Sequence, residues 1–255
     1  KAFVIDQATK DRLIAEDPRS AELIKPFAQG RDIKRYAPIP VKQYLIFTRR
    51  GVKINNYPAI KKYLSQFKDE LMPKPADWKG DWKGRKPGSY AWYEIQDAID
   101  YHEEFSKPKI VYPNICKQPE FTFDETGIYT NQKTFIIPTD DLYLLGILNS
   151  SLSMFLFTQM FPKLRGDFYE PGWVFFQNFP IHIVDPSDPV AVQQKDQIIM
   201  LVDKMLELHR YVPTTPQEKE QLQGSITATA KFVNSLVANH YGLPYEEIKI
   251  VESYY

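Results

Sequence analysis

The sequence has a single cysteine, Cys116, among its 255 residues. One thiol excludes an intrachain disulfide and any cysteine-rich zinc site, and it fits a reducing, cytoplasmic setting. No basic-then-apolar leader opens the chain. Long hydrophobic runs are missing too. The most apolar stretch, Leu142 to Phe161, is interrupted by Asn149, Ser150, Ser151, Ser153 and Gln159, which reads as a buried helix rather than a membrane span. Neither the G-x-G-x-x-G pattern nor a Walker lysine loop occurs. The four histidines (His102, His182, His209, His240) show neither HExxH nor paired spacing, so each reads as a surface or interface residue rather than a ligand. Cys116 lies beside Lys117 but has no identifiable partner histidine, which makes it a weak nucleophile candidate. The chain starts at Lys1 rather than Met. It is expected to be part of something longer, or processed, with any chemistry on residues outside it.

Net charge is also lacking, with 32 Lys/Arg against 32 Asp/Glu, but the balance hides a segregation. Lys25 to Lys86 holds 16 basic and 5 acidic residues, a segment of +11 against −11 for the remainder. A concentrated basic region is what a polyanion responds to. Trp78, Trp82, Tyr90, Trp92 and Tyr93 are interleaved with these cations or directly follow them, a mixture that suits nucleic acid better than a membrane. Hydrophobic content of 43%, with 14% aromatic, is globular, and 20 prolines imply short elements and fixed loops.

Ala2–Ile5, Tyr44–Thr48, Lys109–Tyr112 and Lys133–Pro138 read as short strands. A helix is expected from Tyr57-Pro58 to Leu71, with Ile60, Tyr63, Leu64, Phe67 and Leu71 on one face. Thr139 or Asp140 is expected to cap another, from Leu142 onward. The irregular alternation predicts an α+β (mixed α/β) fold, with a mixed sheet and packed helices. Asp185–Pro189 reads as a boundary. Asp188 caps a helix with Pro189 in first position and a stripe of Ile198, Leu201, Val202, Met205 and Leu208. Thr215, Pro216 and Glu218 form a capping box for a second helix, striped by Leu222, Ile226, Thr229, Val233, Leu236 and Val237 and ended by Gly242. These two helices make an antiparallel hairpin that needs a surface to cover it. The expected division is 1–185 for recognition and 186–255 for the hairpin.

Four basic clusters are candidates for DNA contact. Arg31, Lys34 and Arg35 sit in GRDIKRY, where arginine suits guanine edges and lysine suits phosphate; a solvated loop with Arg31 paired to a carboxylate explains the same residues. Arg50 follows a strand beside Arg49, and adjacent side chains on extended backbone point to opposite faces unless Gly51 turns the chain. The Pro73–Gly88 loop carries Trp78, Lys79, Trp82, Lys83, Arg85 and Lys86. Its rings are suited to stacking and its cations to phosphate, while a covered core with solubilising lysines is the alternative. Lys163 and Arg165 flank a turn after the apolar helix. Asp77 and Asp81 each precede a lysine by two positions, as Glu247 precedes Lys249. Acid-x-Lys pairs occur in metal-dependent nucleases, but they also arise by chance.

Five segments in order carry a family resemblance: Leu23–Tyr36, Tyr44–Leu71, Ser106–Ile115, Phe135–Phe157 and Tyr241–Glu252. Together they resemble the C-terminal part of bacterial adenine-specific DNA methyltransferases and fused restriction–modification enzymes, namely a TaqI-like specificity domain followed by a helical tail. The resemblance implies a target-recognition module that binds double-stranded DNA and is non-catalytic by itself. It also implies an upstream methyltransferase domain of the same parent chain, which holds S-adenosylmethionine and the Asn/Asp-Pro-Pro-Tyr/Phe motif for the flipped adenine. No cofactor or metal site is expected in this segment, and Asn178-Phe179-Pro180-Ile181 is a superficial echo of that motif. Two alternatives stand beside this reading: an interaction scaffold that docks through the hairpin, and a nuclease fragment.

Overall fold

The computed structural model describes residues 2–254, which fall into two compact units. The first comprises residues up to Ala28, Pro40–Lys107 and Thr126–Tyr129; the second comprises Gln29–Ile39, Pro108–Glu125 and Thr130 onward.

The first unit begins with strand β1 (Val4–Ile5), helix α1 (Gln7–Glu16), β2 (Ile24–Ala28) and β3 (Gln43–Ile46). Both β1 and β2 pair antiparallel with β3, opposing Val4 to Leu45 and Ile24 to Ile46. Helices α2 (Pro58–Ser65) and α3 (Lys68–Leu71) follow. The expected continuous helix to Leu71 is therefore broken at Gln66–Phe67, although its apolar face is real: Ile60 and Leu64 are buried with Leu13, Ile46 and Ile54. Helix α1 went unforeseen because its amphipathic signal is faint, with Leu13 its one buried residue.

In the second unit β4 (Lys109–Pro113) is the middle strand of a three-stranded antiparallel sheet, between β5 (Thr122–Asp124) and, further along the chain, β7 (Thr134–Ile137). The two-residue β6 (Tyr129–Thr130) lies where the chain passes from the first unit to the second. All of β4 is buried, which explains its β-branched and aromatic run. Lys109 opposes Asp124 across β4 and β5, and the two form a buried ion pair at 2.5 Å.

The apolar stretch from Leu142 is two helices, α4 (Leu142–Leu148) and α5 (Ser151–Met160), bent by 61°. The cap of α4 is Asp141 rather than Thr139 or Asp140, its carboxylate accepting from the amides of Tyr143 and Leu144. The bend has a local cause. Buried Asn149 pairs reciprocally with the backbone of Phe121, donating at 2.9 Å and accepting at 3.1 Å. Ser150 then caps α5, so the break leaves its donors satisfied. Among the described residues, no single helix is long and apolar enough to cross a membrane.

A small hairpin, β8 (Lys163–Leu164) with β9 (Phe168–Tyr169), precedes the short helix α6 (Trp173–Phe176). The foreseen hairpin helices are α7 (Pro189–Arg210) and α8 (Pro216–His240), with Asp188 and the Thr215–Glu218 box as caps, and α9 (Tyr245–Glu252) completes the chain. Gly146 on α4 shows how α7 docks: a Cβ there would lie 2.8 Å from Ile198 and 2.9 Å from Val202, so only glycine permits this approach. The hairpin stripes thus find their cover in the same core as α4, with Val202, Met205, Val233 and Val237 buried. The 185/186 division falls inside this second unit.

Candidate nucleic-acid interface

The Pro73–Gly88 loop, in the first unit, is pinned at its ends. Lys74 donates to the carbonyl of Arg85 and Arg85 to that of Met72. The Arg85 side chain is inserted among backbone carbonyls, donating to Leu71 (2.8 Å), Glu94 (2.7 Å), Trp92 (2.9 Å) and Ala91 (3.3 Å). Its guanidinium also lies 4.3 Å from the centre of the Tyr90 ring. Burial lowers its pKa below the usual arginine value. This arginine staples the loop. Arg50 is engaged likewise, donating to the Gln96 carbonyl at 2.7 Å and facing the same Tyr90 ring at 5.0 Å. The turn that carries it is held by buried Glu94, which accepts from the amides of Gly51 and Ala91.

Trp82 is half-buried and donates to the Met72 carbonyl, while Trp78 packs edge-on against it at 5.3 Å and remains 51% exposed. With Asp69, Asp81 and Lys83 they line a hollow of about 340 Å³. Lys79, Lys83 and Lys86 are exposed on this framework. The loop therefore presents one accessible aromatic face and three accessible cations.

The other candidates belong to the second unit. Arg31 projects from a one-turn 3-10 helix, Gly30–Asp32, whose entry is held by Asp32 accepting from the Gln29 amide. Lys34 is paired with Glu120 at 2.7 Å. Half-buried Arg35 lies 5.2 Å from the Tyr36 ring, and burial lowers its pKa too. Arg31 and Lys34 share a cleft of about 690 Å³ with Lys117, Gln118, Asn131, Lys133 and Phe168. The wall is tied by Asn114 donating to the carbonyl of Lys133 and by Cys116 and Tyr169 exchanging both backbone hydrogen bonds. Cys116 itself is buried, and burial pushes its thiol up to about 12, the opposite of an activated nucleophile. Lys163 and Arg165 sit on the β8–β9 hairpin, whose tip has positive φ at Gly166 and Asp167. Lys163 is paired with Asp167 and Arg165 is exposed.

Lys117, Gln118 and Lys133 escaped the sequence reading because each stands outside the basic segment, and a lone lysine carries no local signal. Phe179, in the Asn-Phe-Pro echo, is buried and stacked with Phe161 and Phe176. Its neighbours Asn178 and Pro180 are exposed, so the phenylalanine is a core residue rather than a clamp for a base.

The model of the TaqI-like C-terminal specificity domain matches residues 25–181. The chain belongs to that family. Among solved structures, the Type IIL restriction-modification enzyme MmeI in complex with DNA is similar at 12% identity, with a TM-score of 0.62. The match covers 99% of this chain and 34% of that enzyme, so the chain spans about a third of its relative's length and the likeness is one of fold. No curated protein matches the sequence.

Proposed function

We propose that this specificity domain is the DNA target-recognition module of a restriction–modification or adenine-specific methyltransferase enzyme. The observation that carries the reading is the family match over residues 25–181. A specificity domain reads DNA and leaves the reaction to other parts of its enzyme. In this proposal an upstream methyltransferase domain of the parent chain supplies S-adenosylmethionine and the chemistry. Residues 1–185 do the reading and 186–255 support it.

The accessible candidates contact DNA directly: Arg31, Lys34, Lys79, Lys83, Lys86, Lys163 and Arg165 as cations, with Trp78 as a stacking face. Arg35, Arg50, Trp82 and Arg85 act by holding the surfaces that carry those residues, since Arg35 faces the Tyr36 ring and the other three donate to backbone carbonyls of the fold. Phosphate contacts supply affinity and a few side chains supply sequence choice.

Fluorescence anisotropy on a randomised duplex library across a salt series, followed by sequencing of the retained fraction, tests the function. A steep salt dependence with an enriched motif is expected. If six phosphates are neutralised, affinity falls roughly a thousandfold between about 50 and 200 mM salt. Absence of binding at low salt, both alone and beside the upstream domain, would overturn the proposal.

A further inference from the structure

The cleft of the second unit combines charge and a concave wall in a way the Pro73–Gly88 loop does not. Its cations come from three places far apart in sequence: Arg31 and Lys34, Lys117, and Lys133. Glu120 is the one carboxylate lining it, and Lys34 already neutralises that. Among the described residues no carboxylate lies within 4.0 Å of the Arg31, Lys117 or Lys133 cation, although Asp167 feels the Lys117 charge, so three exposed cations line the cleft without an ion pair. The backbone that carries them is closely packed. Gly30 packs so closely on the Lys133 carbonyl that a Cβ would stand 2.7 Å from it, and Lys117 lies 5.0 Å over the Phe168 ring. Exposed Gln118 adds an amide of the kind that pairs with adenine in the major groove.

We propose that this cleft seats one strand of the DNA, with Arg31, Lys117 and Lys133 gripping its phosphates and Gln118 facing a base edge. The inference rests on the DNA-reading function above and assigns it a subsite. No glycine-rich phosphate loop is present to cradle a free nucleotide, and the cations are spread around an open cleft, as a continuous backbone requires.

The test uses the whole chain carrying Lys117→Glu with Lys133→Glu. The milder Lys117→Gln with Lys133→Gln replaces that pair if circular dichroism shows the reversal unfolded. Duplex affinity is expected to fall at least about tenfold per cation near 0.1 M salt, with the salt slope flatter by roughly one for each. Lys231→Glu, on α8, controls for net charge and leaves both quantities unchanged. Gln118→Ala alters the enriched motif without altering the slope. Wild-type affinity and slope in the double variant, or an equal loss in Lys231→Glu, would overturn the subsite while the DNA-reading function stands. An unchanged motif in Gln118→Ala removes the base-reading role. Tighter binding of a free mononucleotide than of duplex overturns the strand-seating role in favour of a nucleotide pocket. Failure of the unaltered chain to bind duplex sinks the function itself.

Discussion

The Trp/Lys loop and the cleft are both basic, yet they spend their charge differently. In the loop the residue with the richest donor set, Arg85, is turned inward onto four carbonyls, and the lysines around it are left on the surface. In the cleft Arg31, Lys117 and Lys133 stay exposed around a concave wall held by backbone pairing. Local charge density therefore overstates the loop and finds only the Arg31 and Lys34 side of the cleft, missing Lys117 and Lys133. Arginine is the better staple for the same reason that it is the better reader: its planar fork satisfies several acceptors at once. Which job it does depends on whether those acceptors belong to the chain or to a ligand.

The largest effect that would break this contrast lies beneath the cleft. Strand β4, which ends at the cleft residue Pro113, carries Lys109 buried against Asp124. Asp124→Asn leaves that ammonium without its counter-charge, and about 3–5 kcal/mol of stability is expected to be lost in urea unfolding. A wild-type midpoint would show that the cleft wall does not depend on the pair. Next comes Arg85→Ala, which removes a charged donor from several carbonyls. A loss of about 1.5–3 kcal/mol is expected, with faster amide exchange around Lys74 and Arg85 and an unchanged salt slope for DNA binding. A flatter slope without faster exchange would return Arg85 to the contact surface.

Lys86→Ala is the mirror experiment. Stability should stay within about 0.5 kcal/mol while duplex affinity falls roughly tenfold near 0.1 M salt with a slope flatter by about one. The smallest effect is in pH. His209 and His240 are both held below the ordinary histidine value, each chiefly by burial, helped by the Arg35 charge at His209 and by His182 at His240, with Asp188 opposing the shift at His240. Below about pH 6.5 the unfolded chain takes up protons that the folded chain resists. The stability contribution of these neutral histidines is thus complete above that pH and is lost as pH falls toward the folded values. Urea midpoints at pH 7.5 and 5.5 should drop less in His209→Gln and His240→Gln than in the unaltered chain.

How far the fold can be read in advance depends on element length. Helices α7 and α8 run 22 and 25 residues with paired caps, long enough for periodicity and end signals to agree. Strands β5, β6, β8 and β9 have two or three residues each, too few for alternation to show. The break inside Leu142–Phe161 was not foreseen, since the stretch read as one buried helix, and its cause lies elsewhere in the chain, because Asn149 answers to the backbone of Phe121. Similarly, Gly146 looks like a weak point in a helix until Ile198 and Val202 are found packed on it.

The amino-acid sequence alone determined the α+β class, the capped hairpin, the basic segment and, through ordered family segments, the kind of molecule this is. The first three follow from local propensity, short-range spacing or composition, which are properties of neighbours along the chain, and the last from resemblance to a known family. Tertiary structure decided which cations are free. Arg85 became a staple and Lys117 and Lys133 came together with Arg31 because charge availability depends on which acceptors lie within hydrogen-bonding distance in space, and no spacing along the chain encodes that distance.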